Sequence, residues 1–238
     1  MGQTHVVTLH PPQQPHSSRS VKLQVNLLGR EAGSCSFSIA AQHWLVNNSS
    51  LPLDVHEASA TGGLVLHAHG ANPRPFSLSS DAALARVGVA VRDGEPVRLQ
   101  ASSMGVGELP GLSKSFSVAA VGNDMALEVA HGEGTAELAI RVTAASGDME
   151  HADRATVVTL HNRISVQNSS GIPLEWRQKS VQHVTHDLPA DGETVSLHWD
   201  HASASRLLHV RPKDLAHEWC AAFSPERLGE TTLKLVRP

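Results

Sequence analysis

Tyrosine is absent from this 238-residue chain, and aromatic residues reach only 3%, as four Trp and four Phe. A surface that stacks bases or sugars needs ring faces, so recognition of that kind is not expected. Cysteine is almost as scarce: Cys35 and Cys220 stand far apart, which implies neither a disulfide framework nor a zinc knuckle. Basic residues do not exceed acidic ones, 19 against 23, and a formal charge of -4 offers no field for nucleic acid or anionic lipid. No apolar run approaches the roughly 18 residues of a membrane helix. The opening MGQTHVVTLHPPQQPH has no basic stretch followed by an apolar one, so no signal peptide is read there. Met1-Gly2 is followed by Val6 where a myristoylation signal has Ser or Thr. A soluble, cytoplasmic, reduced chain without a membrane span is the expectation.

What the chain has in quantity is alternation. Val21, Leu23, Val25 and Leu27 are interleaved with Lys22, Gln24 and Asn26. The same period of two recurs at Val87, Val89 and Val91, at Met125, Leu127 and Val129, at Leu138, Ile140 and Val142, and at Leu233 and Leu235. Successive strand side chains face opposite sides of a sheet, so this pattern predicts half-buried antiparallel strands. Turn-forming clusters separate the runs (GREAGS, ATGG, GANPRP, RDGEP, GELPG, HGEG, ASGD, PADGE). An all-β, sandwich-like architecture follows. Only SDAALAR, from Ser80 to Arg86, and Pro225 to Gly229 could offer a helical turn.

The chain also repeats itself. WLVNNSSLPLDV, Trp44 to Val55, and SVQNSSGIPLEW, Ser165 to Trp176, align without a gap at a constant offset of 121 residues. Asn47 falls on Asn168, Leu51 on Ile172, Pro52 on Pro173, Leu53 on Leu174 and Asp54 on Glu175. Further on, KSFSVAAVG answers AAFSPERLG, with Phe116 on Phe223 and Gly122 on Gly229. Upstream, KLQVNL before the first phrase resembles ELAIRV before the second. Tandem antiparallel β-sandwich-like modules of roughly 110–120 residues fit this pattern, each packing on its neighbours. The expected division is the C-terminal part of one module in 1–40, a complete module in 41–162, and the N-terminal part and core of a third in 163–238. A chain that begins and ends inside modules reads as a piece of a longer array.

At the end of a strand, an Asn side chain can bond the backbone that follows and form an Asx-type turn. Gly171 suits a positive φ, and Pro173 sits where a missing N–H costs least. Asn47, Asn48 and Asn168 also match the glycosylation pattern, a coincidence in a chain without an export signal.

Sharper chemistry finds little support. Sixteen His invite a metal reading, through His67 and His69 or the near pairs His183/His186 and His198/His201. No His-Glu-x-x-His or Cys-x-x-Cys accompanies them, so they read as histidines of polar faces, and no metal or cofactor is expected. There is no Gly-x-Ser-x-Gly elbow for a hydrolase, and GVGELPG lacks the Lys-Ser/Thr of a phosphate loop. No catalytic residue is assigned. The four Trp, Trp44, Trp176, Trp199 and Trp219, lie near strand ends and are expected to fill core.

VVTLHNRISVQNSSGIPLEWRQ resembles the start of a repeat in the adaptor-binding region of the vacuolar protein sorting-associated protein 13 family, a region also known as the SHR-binding domain. SLHWDHASASRLLHVRP and EWCAAFSPERLGETTLKL are similar to further marks of these repeats, on Trp199, Trp219, Phe223 and the Gly-to-Leu-x-Leu run. The resemblance is strong over 155–236 and looser over 36–145. It matches the one characteristic Asn of each repeat to Asn47 and Asn168. Asn48 and Ser169 stand where a basic residue often follows that Asn. The resemblance implies a non-enzymatic docking region of a large bridge-like lipid transfer protein. Its partners would be membrane-resident adaptor proteins with short proline-containing segments, met at organelle contact sites, while other parts of the protein handle lipid. A stand-alone β-sandwich interaction protein is the alternative.

Overall fold

A computed structural model of the chain describes residues 4–9, 21–31, 33–57, 63–66, 70–78, 86–91, 112–118, 121–122, 124–145, 155–213 and 217–236. Among them every regular element is a β-strand, as the alternation requires. His67, His69, GVGELPG and most of SDAALAR lie outside the described residues. The chain divides into two compact units. The first is Met1–Val129 with Leu138–His161, and the second is Ala130–Glu137 with Asn162–Pro238.

The first unit begins with an antiparallel sheet of β1 (Thr4–Leu9), β2 (Val21–Glu31) and β3 (Ser34–Ala41), in that order. Then come β4 (His43–Asn47), β5 (Leu53–Glu57), β6 (Gly63–Leu66), β7 (Gly70–Phe76), β8 (Arg86–Val91) and β9 (Phe116–Ser117). The strands β10 (Asp124–His131), β11 (Gly134–Ala144) and β12 (Thr156–Asn162) follow. One sheet has the order β10-β11-β12-β4-β7 and another β6-β5-β8-β9. Within the first, β12 runs parallel to β4, with Thr156 opposite His43 and Leu160 opposite Asn47. Parallel neighbours need a long crossover. Here the chain supplies it by building the β5 sheet and the β10–β11 hairpin between the two strands.

Alternation translates directly into burial. Leu127 and Val129 on β10, Leu138, Ile140 and Val142 on β11, and Val158 and Leu160 on β12 are all buried. From the other sheet come Leu53, Val55, Val87, Val89 and Phe116. β5 is buried along its whole length, polar Asp54, His56 and Glu57 included, because both its faces are covered.

In the second unit, β13 (Ser165–Gln167) pairs with β16 (Thr194–Ser196), and β14 (Leu174–Gln178) lies between β15 (His186–Leu188) and β17 (Leu208–Pro212). Trp176, Leu188, Leu197, Trp199 and Leu208 make its core, with Phe223 packed against it. Gly134 and Thr135 belong to this unit too. The Thr135 N–H donates to Trp199 O at 2.9 Å, and the Trp199 N–H returns the bond at 2.8 Å. A Cβ on Gly134 would land on the Trp199 carbonyl oxygen, so this backbone approach requires glycine.

Two local expectations fail. Pro225–Gly229 forms a turn rather than a helix, with the Glu226 N–H donating to Ser224 Oγ at 3.3 Å. Leu233 and Leu235 alternate but join no ladder, and Leu235 stays 40% exposed. Period two describes a strand only where a neighbouring strand offers hydrogen bonds, and none of the described strands pairs with this stretch.

Candidate functional site

The two Asn turns are built from the same bonds. Asn47 is 2% exposed and Asn168 is 4% exposed, so each amide must find its partners inside the protein. Asn47 Oδ1 accepts from the Ser49 N–H at 3.0 Å and the Ser49 hydroxyl at 2.6 Å, while Nδ2 donates to Leu51 O at 2.8 Å. Asn168 Oδ1 accepts from the Ser170 N–H at 3.1 Å and the Ser170 hydroxyl at 2.7 Å, while Nδ2 donates to Ile172 O at 2.8 Å. Asn168 Nδ2 also donates to Leu188 O at 3.0 Å, tying the turn to β15. Each Ser hydroxyl accepts in turn, from the Leu51 N–H and the Ile172 N–H, both at 3.4 Å. With their amides buried and bonded, Asn47 and Asn168 are closed to glycosylation.

Pro52 and Pro173 stand immediately before β5 and β14, where no ladder donor is lost. Pro173 is exposed, and its carbonyl accepts from the Lys213 N–H at 3.0 Å. Gly171 takes φ +75°, whereas Ser50 at the matching position is outside the left-handed region. The hydrogen bonds therefore define the turn, and the glycine does not.

The strands that leave the turns pair alike. Leu53 faces Leu66 on one side and Val91 on the other; Leu174 faces Leu188 and Pro212. At the far end Glu57 pairs with Val87, which pairs with Phe116; Gln178 pairs with Leu208, which bridges to Phe223. Phe116 and Phe223 thus hold the same place in the ladder, though Phe116 is 1% exposed and Phe223 only half-buried.

Trp199 lies in the core, but Trp219 departs from the core-filling expectation. Its half-buried ring has the Arg177 guanidinium 4.3 Å and the Arg211 guanidinium 4.4 Å from its centroid. It sits on the outer side of the β14–β17 pair, where alternation puts charged side chains. Trp44 is likewise only half-buried, whereas Trp176 is core.

Other polar groupings have no counterpart in local sequence signals. Glu137, 3% exposed, accepts from both Arg163 and Arg206 and from Trp199 Nε1 at 3.1 Å. These partners lie up to 69 residues away, beyond the reach of pattern reading. Gln178, fully buried, donates to His201 O at 3.1 Å and accepts from the His201 N–H at 3.0 Å.

His131, His186 and His198 line a cleft of about 220 Å³ with Trp176, Ser196, Trp199 and Asp200. His186 stacks on Trp176 and meets Asp200 Oδ1 at 2.7 Å. Burial, reinforced by His131 and His186, pushes His198 down to about 4. Among the described residues no three ligands converge on a metal position. His183 and His201 are exposed and stand apart from this cleft. In the first unit, burial alone takes His43 to about 4, with Nδ1 at 2.5 Å from Thr156 Oγ1. Cys220 is a buried thiol raised by the same cause, and Cys35 is exposed.

No helix among the described residues is long and apolar enough to cross a membrane. No curated protein matches the chain. The family described as vacuolar-sorting associated protein 13, adaptor binding domain, matches residues 6–238, and the chain, an all-β protein with paired buried Asn turns, belongs to that family.

Proposed function

We propose that this chain is a non-enzymatic docking region that receives membrane-resident adaptors and so directs a bridge-like lipid transfer protein to organelle contact sites. The observation that carries this reading is the family match over residues 6–238. The buried residues support it. Among the described residues, the buried polar bonds of Asn47, Asn168 and Gln178 hold turns and strands in shape.

In this reading the adaptor-binding modules divide at 1–40, 41–162 and 163–238. Asn47 and Asn168 hold the entry turn of two copies, and Phe116 and Phe223 close equivalent ladders. Partners present short proline-containing segments in extended form, a shape suited to a sheet edge. In the five-stranded sheet β7 is one edge, and Pro73 and Pro75 leave it short of donors. The opposite edge, β10, has eight residues without proline and is better suited to adding a strand.

Fluorescence anisotropy with a labelled Pro-x-Pro peptide and its Ala-x-Ala counterpart tests the reading. Saturable binding of the first alone is expected. Equal binding of both, or of neither, refutes proline-directed docking by this chain.

A further inference from the structure

Strand alternation sorts the β14–β17 pair into two faces. Trp176, Gln178 and Leu208 point into the core of the second unit. The opposite face carries Glu175, Arg177 and Lys179 from the β14 side, and His209, Arg211 and Lys213 from the β17 side. Asp187 on β15 pairs with Glu175 and shares that face.

The charges on this face do not cancel. Arg211 is paired with Glu175, and Lys213 Nζ lies 2.6 Å from Asp187 Oδ2. His209 Nδ1 donates to Cys220 O at 2.7 Å. Both carboxylates are therefore taken. Among the described residues neither Arg177 nor Lys179 has an ion pair or a side-chain hydrogen bond. Two positive charges remain in a chain whose formal charge is -4.

The Arg177 guanidinium packs against the Trp219 ring, 4.3 Å from its centroid. A cation–π contact draws on the charge of the guanidinium and does not use up all five of its N–H donors, which can serve a second partner. Burial and the neighbouring Arg211 both act against the Arg177 charge and lower its affinity for the proton, with Glu175 opposing them. An anion at this point would relieve that strain. The indole meanwhile holds the side chain in place, so little rotamer freedom is lost on binding.

We propose that Arg177, Lys179 and Trp219, on the outer face of the β14–β17 sheet, form a recognition site for an acidic segment of a docked protein, whose carboxylate takes N–H donors of Arg177. This deepens the docking reading and rests on it. A peptide suits the site better than a bilayer. A membrane surface needs a broad basic field, whereas this one is narrow and interrupted by Glu175 and Asp187.

The test is anisotropy on the full chain with a short labelled Asp/Glu-rich peptide, its Asn/Gln isostere, and vesicles of phosphatidylserine with phosphatidylcholine. The acidic peptide alone should bind, and added salt should weaken it. Arg177→Gln should weaken binding about ten- to hundredfold, the worth of a hydrogen bond to a charged group. Lys179→Gln, an exposed change, should weaken it less and serves as the check if Arg177→Gln does not fold. Binding of the isostere as tight as the acidic peptide overturns the proposal. So does binding indifferent to both substitutions, the absence of acidic binding, or vesicle binding that the substitutions abolish while the peptide fails to bind. If Pro-x-Pro peptides bind but acidic peptides do not, this site alone falls; the reverse pattern removes proline-directed docking and leaves the site standing.

Discussion

Asn47→Ala and Asn168→Ala delete the same set of turn bonds, yet their costs should differ, because the groups they abandon differ in access to water. At the first turn Ser49 is fully buried and Leu51 is 8% exposed. Removing Asn47 strands the Ser49 N–H and weakens satisfaction of Leu51 O, which keeps only the Ser49 hydroxyl at 3.2 Å. Each buried group left without a partner costs about 1–3 kcal/mol, so Asn47→Ala should cost about 3 kcal/mol. At the second turn Ser170 and Ile172 are exposed, and water can replace the lost amide. The buried Leu188 carbonyl loses its side-chain donor but keeps its place in the ladder opposite Leu174, so Asn168→Ala should cost about 1 kcal/mol. Two compact units need not unfold together, so one melting curve is not a sufficient assay. Hydrogen exchange in rising urea, resolved by mass spectrometry over 43–57 and 174–212, reads each turn in its own unit. Equal costs, a reversed order, or a change below about 0.5 kcal/mol at Asn47 would refute the argument from stranded groups.

Three further outcomes follow. Burial holds His43 at about 4, below its ordinary 6.5, so the unfolded chain takes up a proton through that interval while the folded chain does not. Stability of the first unit should be full above pH 6.5 and drain as pH falls toward 4, and His43→Gln should remove on the order of 3 kcal/mol of that dependence in urea melts across the interval. Glu137→Gln unbalances a buried carboxylate that holds two arginines, and their partial exposure limits the damage to about 2–3 kcal/mol, measured from Trp fluorescence during urea unfolding. Gly134→Ala drives a methyl group into the Trp199 carbonyl and should open the Thr135–Trp199 bridge, seen as a red shift of Trp emission; unchanged emission and stability would contradict the close approach.

What could be read from the sequence was local. Alternation at Val87 to Val91 and at Leu138 to Val142 was sufficient for β8 and β11, because a strand with one buried face has to place apolar groups at every second position. The same rule failed at Leu233 and Leu235, where the periodicity is present but none of the described strands pairs with it. The 121-residue offset already set Ser49 on Ser170, though only the folded structure shows that these serines complete the Asn bonds.

The sequence by itself determined the all-β class, the position of the Asn turns and the family resemblance, since each of these is carried by neighbouring residues. Tertiary structure alone decided the parallel seating of β12 beside β4, the burial of Glu137 among Arg163, Arg206 and Trp199, and the removal of Trp219 from the core to lie against two guanidiniums. Those arrangements join residues from separate stretches of chain. Their geometry depends on ladder register and on which charges find partners, and neither quantity is written in any single window of sequence.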